Sequence, residues 1–445
     1  MKNLNKTLSL TAALTVIAGP LASSAQAATT LQYWLWDSNQ QPAYQQCAAT
    51  FTKANPDVSI KISQKGWDDY WQAITTGMVS GTAPDVFTNH LAFYPQFAAN
   101  NQLVDLAPLI ARDKVATDIY YPGLKDLWGR GGKQYGLPKD FDTVAIFYNT
   151  DLLKKAGMKP SDLSNLTWNP KDGGTYQKAI ARLTVDRSGN NGLSGKFNRK
   201  AVTQYGYQTN YDANFNGQTQ WSFLAATLGW SATAGPFSNS YNYSDPRFAQ
   251  TIQWLADLNL KYGYIPSFQE SGAAGTSGDT LFRAGKAAMV TNGSWMIGDY
   301  TSKLPFKVGI APLPKGPNGK RMSMFNGLAD SVWVGSKNQD AAWKWVKFLG
   351  SRSCQDLVGR SGVVLPAIPA STNLALAAFK QRGVDVSVFT AQAKLKGGTF
   401  YFPISDKGSE VNSVMSSTLQ GVFGGQSKAA DVTRAANDKV NSLLK

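Results

Sequence analysis

Two carboxylates, Asp140 and Asp142, are the residues best placed for chemistry in this chain. They follow a turn that contains Gly136 and Pro138, and they precede residues 143–148, a predicted strand with apolar side chains on both faces. Such a strand is buried, and a charged group at its mouth is costly to bury unless a polar partner binds it. A carboxylate there can accept hydrogen bonds from the hydroxyl groups of a polyol, and a pair of carboxylates can hydrolyse a glycosidic bond. The position therefore predicts either a polyol-binding site or a hydrolytic one.

Aromatic and polar side chains that follow predicted strands form the second group of candidates. The chain has 13 tryptophans, 18 tyrosines and 21 phenylalanines, and an aromatic ring can cover the apolar face of a sugar. Ligands of open α/β sheets bind outside the carboxyl ends of the strands, so residues just past a strand are favoured. The candidates for ligand binding are Trp36 and Asp37, Asn89 and His90, Asp142, Trp295 behind a glycine turn, and, with weaker support, Trp221, Trp230, Gly327 and Tyr401.

Each of these residues also has a purely structural interpretation. Trp36 and Trp295 could belong to the core, Asp37 could cap a helix, and Asp142 could form a structural ion pair. Trp71, near a predicted helix start, is expected in the core.

Other kinds of catalysis have little support in the sequence. His90 is the one histidine, and the chain has no HExxH spacing, no Gly-x-Ser-x-Gly and no phosphate-binding glycine loop. No metal site, cofactor or histidine-dependent nucleophile is therefore expected. A secreted glycoside hydrolase stays open as the alternative of a different class, with Asp140 or Asp142 facing Asp68, Asp69 or Glu270 across a cleft.

The elements that must position these residues alternate between strand and helix. Strands are predicted at 31–36, 58–62 and 85–88, with helices at 42–54 and 68–80 between them. This alternation indicates an α/β sheet. The chain of 445 residues exceeds the roughly 250 to 300 at which single cores stop growing, so two lobes are expected.

Residues 1–27 have the pattern of a secretory signal peptide. Lys2 and Lys6 precede an apolar run at 8–18, and residues 25–27 form a small-x-small cleavage site. No later stretch reaches the roughly 20 apolar residues of a membrane span. No cysteine stands at the cleavage point, so we expect a periplasmic protein without a lipid anchor.

The chain is basic, with 44 Lys and Arg against 29 Asp and Glu, a net charge of +15 that falls to +13 without Lys2 and Lys6. This balance could reflect an anionic ligand or only the solubility of an exported protein. Nucleic acid is not expected as a partner, because no basic cluster is interleaved with aromatic residues.

Three stretches together resemble a known family. They are residues 132–149 (GKQYGLPKDFDTVAIFYN), 287–295 (AAMVTNGSW) and 306–314 (FKVGIAPLP). The chain resembles the extracellular solute-binding proteins of sugar-importing ABC transporters, the group that includes maltose-binding protein. The resemblance implies an α/β fold of two lobes with a multi-strand hinge and a ligand cleft between the lobes, the fold of the type II periplasmic binding proteins.

The resemblance also implies lobe boundaries. Lobe I would hold residues 28–140 and 311–332, and lobe II residues 141–310 and 333–445, with crossings near Asp140, Ile310 and Val332. Cys47 and Cys354 would then lie in different lobes. Cys47 also shares an apolar helical face with Tyr44 and Phe51, so two buried free thiols are expected although an exported chain permits a disulfide.

The same resemblance implies ligand contacts at Asn89 and His90, a hydroxyl acceptor at Asp142 and a stacking platform at Trp295. The chain departs from maltose-binding protein after residues 85–88, where Asn89 and Ala92 replace an aromatic and an acid. Maltodextrin specificity is therefore not carried over.

These observations predict a monomeric binding protein that captures a sugar or oligosaccharide by hinge closure and delivers it to membrane permease subunits. An alternative ligand is an anionic polyol phosphate or uronate, held by Lys65, Lys139 and Arg321.

Overall fold

The computed structural model describes Met1 and residues 29–209, 215–271 and 279–445. The predicted signal peptide, Met1 apart, lies outside these ranges. None of the helices in the described ranges is both long and apolar enough to span a membrane.

Sixteen strands and seventeen α-helices occur in the described ranges. The strands are β1 (Thr29–Leu35), β2 (Val58–Gln64), β3 (Val86–His90), β4 (Gly129–Arg130), β5 (Lys133–Gln134), β6 (Leu137–Pro138), β7 (Asp140–Phe141), β8 (Val144–Asn149), β9 (Val185–Asp186), β10 (Val202–Gln204), β11 (Met289–Gly293), β12 (Val308–Ala311), β13 (Ser323–Phe325), β14 (Leu328–Val332), β15 (Leu365–Pro366) and β16 (Thr399–Tyr401). The helices are α1 (Gln41–Ala54), α2 (Trp67–Ser80), α3 (Tyr94–Ala99), α4 (Ala107–Arg112), α5 (Thr150–Lys155), α6 (Gly174–Leu183), α7 (Ser222–Thr227), α8 (Pro246–Leu260), α9 (Phe268–Ser271), α10 (Thr280–Arg283), α11 (Ile297–Ser302), α12 (Gln339–Leu349), α13 (Arg352–Ser361), α14 (Pro369–Gln381), α15 (Ser387–Lys394), α16 (Gly408–Phe423) and α17 (Ala429–Ser442).

The first lobe is built on a five-stranded sheet in the order β2-β1-β3-β14-β6. β1 pairs in parallel with β2 and β3, whereas β14 runs antiparallel to β3 and β6. Leu31, Tyr33 and Leu35 alternate along β1 and are buried, as period-2 patterning requires. The carboxyl ends of β1 and β3 therefore lie at one edge of the sheet.

The second lobe is built on an antiparallel sheet in the order β11-β8-β12. All six residues of β8 are buried, which confirms the predicted buried central strand. Helices α8, α16 and α17 pack together in the same lobe.

Three segments join the lobes. The first runs from β6 through β7 to β8, and the second runs from β12 to β14. The third runs from α14, which packs on α13, to α15, where Phe389 lies 5.9 Å from Phe147 of β8 between ring centroids.

The predicted lobe boundaries are partly wrong. Residues 333–381 stay with the first lobe, since Trp345 of α12 packs on Tyr33 of β1 with 5.7 Å between ring centroids. Residues 311–325 stay with the second lobe, where Lys315 forms a parallel β-bridge with Thr167 and β13 pairs with β16. The third crossing thus follows α14 rather than Val332.

The prediction of two free thiols is also wrong, because Cys47 and Cys354 form a disulfide. α13 packs against α1 inside the first lobe, so the two Cα atoms are 5.2 Å apart. Both residues are completely buried, as expected.

Candidate functional site

An aromatic cluster lies where the ends of β1 and β3 meet the start of α2, and we call it the first-lobe patch: Trp36, Trp67, Trp71, His90 and Phe93. Trp36 lies 5.1 Å from Trp67 between ring centroids and 6.4 Å from His90, and Trp71 stacks on Phe93 at 3.9 Å. Trp71 is 5% exposed and supports the patch from the core, as predicted, whereas Trp67 is 43% exposed. The patch thus presents an accessible ring that sequence reasoning did not single out.

His90 is a neutral hydrogen-bonding group in this site. Burial lowers its pKa to about 4. Its Nδ1 accepts from the backbone N–H of Ala92 at 3.1 Å, so the proton of the neutral ring is on Nε2. Nε2 lies 3.2 Å from Nδ2 of Asn326, so the imidazole and this side-chain amide form a pair at the site.

The hinge places two carboxyl groups beside this pair. Asp142 exchanges backbone hydrogen bonds with Asn326, and its Oδ1 accepts from Gln218 Nε2 at 2.7 Å. Burial, with a contribution from the charge of Asp140, raises the pKa of Asp142 well above its usual value. Burial likewise raises the pKa of Asp140 to about 7, against the favourable charge of Lys139. Asp142 is therefore suited to hydrogen bonding with hydroxyl groups as an uncharged carboxyl.

Trp295 comes to the same mouth from the second lobe. It follows β11, whose Gly293 pairs with Val144, and Ser294 N donates to the Thr143 carbonyl at 3.1 Å. The half-buried indole lies over Gly293, where an added Cβ would come within 1.8 Å of a ring atom. Only glycine fits beneath this ring.

A cavity of about 220 Å³ lies in the second lobe, with Trp230, Thr233, Tyr401 and Phe402 in its wall. Trp230 stacks on Phe248 at 5.1 Å and donates its indole N–H to the Asn242 carbonyl. Phe402 also lies 5.5 Å from His90, between ring centroids, so this cavity adjoins the first-lobe patch.

Asn89, Trp221 and Gly327 do not offer ligand contacts in this structure. Asn89 is completely buried, donating to Ser331 Oγ at 3.1 Å and accepting from His90 N, because β3 extends through residue 90. Trp221 is also completely buried, against Trp230 and Phe248. A Cβ at Gly327 would come within 2.5 Å of the Asp140 carbonyl, so this glycine permits close packing at the hinge.

Asp37 supports the turn before α1. Its two carboxylate oxygens accept from Asn39 N and Gln40 Nε2, both at 2.8 Å. Asp37 does not cap α1, because the N-cap is Gln40 and no side chain among the described residues accepts from the first N–H groups of the helix.

The comparisons with known proteins identify the family. A model of the bacterial extracellular solute-binding proteins matches residues 37–355. The chain belongs to this family.

Individual relatives agree with that assignment. A putative binding protein of Brucella abortus is 25% identical over 98% of each chain. The arabinooligosaccharide-binding protein of Bacillus subtilis is 26% identical over 75% of this chain and 72% of its own. The structure of an ABC substrate-binding protein from Listeria monocytogenes in complex with cycloalternan matches with a TM-score of 0.79 at 20% identity, over 94% of this chain and 99% of the other. This last likeness shows the two-lobe fold, which confirms the expected architecture.

Two of the three cations suggested for an anionic ligand are engaged elsewhere in this solute-binding protein. Lys139 is buried in the first lobe, with Nζ 2.9 Å from both Tyr33 Oη and Thr88 Oγ1. Arg321 donates to the backbone carbonyls of Leu313 and Ser164. Lys65 lies over the ring of Trp34 at 4.9 Å.

Proposed function

We propose that this protein binds an uncharged sugar or oligosaccharide between its lobes, as a monomer, and delivers it intact to the permease of an ABC importer. The observation that carries the proposal is the exposed ring of Trp67 beside the His90–Asn326 pair and the Asp142 carboxyl. A sugar needs both kinds of surface, because its C–H faces are apolar and its rim carries hydroxyl groups.

The proposed ligand contacts come from both lobes and from the hinge. The first lobe offers Trp36 and Trp67, and the second offers Trp295. Asp142 and Asn326 supply polar groups between them. The cavity beside Trp230 and Tyr401 provides room for a further part of the ligand.

An uncharged ligand fits the electrostatics of these residues. Lys139 and Arg321 are engaged in protein contacts. The raised pKa of Asp142 favours a neutral carboxyl, which can both donate to and accept from hydroxyl groups.

The geometry gives the hydrolytic alternative less support. Asp140 Oδ1 accepts from Leu328 N at 2.9 Å on the inner side of the hinge. Glu270, one of the suggested partners, accepts from Tyr205 Oη at 3.1 Å and Ser267 N at 2.8 Å. Asp142 is connected through Asn326 to His90 of the first-lobe patch, whereas Asp68 and Asp69, the other suggested partners, are exposed in the first turn of α2.

A thermal-shift screen against neutral mono- and oligosaccharides, uronates and polyol phosphates tests the proposal. Ligand at a hundred times its dissociation constant adds roughly 2.7 kcal/mol to the free energy of unfolding, which raises Tm clearly. We expect a shift with a neutral sugar that chromatography then recovers intact. A shift only with anions, or release of hydrolysis products that Asp142→Asn abolishes, would contradict the proposal.

A further inference from the structure

Two groups of side chains connect the lobes on either side of the first-lobe patch. The first, which we call the Asn39 clasp, joins the loop after β1 to α11. Asn39 Nδ2 donates to Asp299 Oδ1 at 3.0 Å, and Lys303 Nζ donates to Asn39 Oδ1 at 2.8 Å. α11 belongs to the second lobe, where Tyr300 packs 4.9 Å from Phe147 between ring centroids.

The second group, the Arg130 clasp, joins the β4–β5 hairpin to the second lobe. Arg130 forms a bidentate ion pair with Asp406, which precedes α16, and its guanidinium lies 4.7 Å from the ring centroid of Phe237. Phe237 has a φ of 55°, a conformation that is uncommon outside glycine. Its N–H donates to the Ile404 carbonyl at 2.9 Å, which holds the ring beneath Arg130.

The sheet order places the two clasps apart. Asn39 follows β1, on the side of the first-lobe sheet where β2 is the edge strand. The hairpin with Arg130 leads through Gly136 into β6, which is the opposite edge strand. His90 ends β3 and Phe93 follows it, between these two sides. The patch therefore lies between the clasps.

We propose that the two clasps close the cleft at both ends around the bound sugar, so that they restrict its length. This inference rests on the proposed function and adds a substrate class: short sugars that the cleft encloses completely. A longer chain would have to leave the cleft where Asn39 meets Asp299 or where Arg130 meets Asp406. It could do so only by separating these groups, and the loss of their contacts would oppose closure.

Arg130 is the better position for a test, because its side chain both spans the gap and carries the charge. Arg130→Ser removes the clasp and leaves the hairpin backbone unchanged. Arg112→Ser is a matched control, since Arg112 pairs with Asp113 on the first-lobe surface and does not reach the second lobe. Circular dichroism should show that both variants are folded.

The measurement is the dissociation constant, by calorimetry, for di-, tri- and hexasaccharides of the arabino-, galacto- and maltooligosaccharide series. The quantity compared is the ratio of hexasaccharide to disaccharide affinity, because weaker closure alone would lower both affinities together. We expect the wild type and Arg112→Ser to favour the disaccharide by about tenfold or more, and Arg130→Ser to reduce this preference by about tenfold.

Three outcomes would overturn the inference. Equal wild-type affinity for all lengths, or an unchanged ratio in Arg130→Ser, would contradict it and leave the proposed function standing. If no sugar of any series bound, and another solute raised Tm in the thermal-shift screen, the proposed function would be overturned and the length restriction with it.

Discussion

Asp142 and Asn326 exchange two backbone hydrogen bonds, of 2.9 and 3.3 Å, where two of the three crossings pass between the lobes. The Asp142 carboxyl and the Asn326 amide are therefore attached to one paired segment. Bending at the hinge should move them together, so the polar part of the site keeps its geometry. The rings of Trp67 and Trp295 belong to opposite lobes, and we expect ligand to favour the closed state mainly by bringing them together.

Asp140→Asn should make stability less dependent on pH. Burial raises the pKa of Asp140 to about 7 in the folded protein, so the folded state keeps a proton that the unfolded chain releases near pH 4. Protonated Asp140 therefore adds its full contribution to the free energy of unfolding below about pH 4. This contribution, roughly 4 kcal/mol, is lost as the pH rises through about 7. Urea unfolding between about pH 5 and pH 8 should show a smaller decline for the variant. Asp126→Asn, at a carboxyl whose side chain is 79% exposed, should leave the wild-type slope unchanged.

Local sequence patterns were sufficient for the elements but not for their assignment to lobes. β8 and the strands β1, β2 and β3 follow from apolar alternation and turn residues. A helical face such as that of α12 does not specify which sheet it covers. Trp345 covers Tyr33 through a contact between residues far apart in the chain, and this contact decides where Cys354 lies.

In the candidate site, too, local sequence patterns predict some features and not others. Counting residues past the predicted strand ends selects Trp36, His90 and Trp295, and the structure places the first two together in the first-lobe patch. It assigned Asn89 to the cleft because the predicted strand stopped at residue 88, two residues short of the end of β3. Trp67 was missed because the first turn of a helix presents it, and no strand-end rule applies there.

Replacing both cysteines by alanine should lower the free energy of unfolding without changing sugar affinity. The disulfide spans 307 residues and joins α1 to α13 inside the first lobe, so its loss frees the unfolded chain and leaves the cleft intact. Removal of a native disulfide costs about 2 to 5 kcal/mol. Guanidinium unfolding should be measured with and without dithiothreitol. We expect the reduced wild type to have the same free energy of unfolding as the variant. An equal stability of oxidised wild type and variant would contradict the prediction.

Trp67→Ala should lower sugar affinity, whereas Trp71→Ala should lower the free energy of unfolding. Trp67 is 43% exposed, so its loss should weaken sugar binding by about tenfold with little effect on unfolding, since a stacked ring contributes about 0.5 to 1.5 kcal/mol. Trp71 is 5% exposed and stacks on Phe93, so its loss should cost about 3 to 5 kcal/mol of stability. Calorimetric titration and urea unfolding of both variants check the pair. A Trp67→Ala protein that binds like the wild type would remove this ring from the site.

Gly293→Ala should impair the site by displacing a single ring. The added methyl group would come within 1.8 Å of Trp295, and the indole would have to leave its position over β11. Since β11 also pairs with β8 through Gly293 and Val144, the backbone has little freedom to move instead. We expect sugar affinity to fall about tenfold, together with a change in tryptophan fluorescence. Gly298→Ala, in the nearby helix α11, is the control, because a Cβ at Gly298 meets no heavy atom within 4 Å. If both variants bound sugar equally well, Trp295 would not be a stacking platform for the ligand.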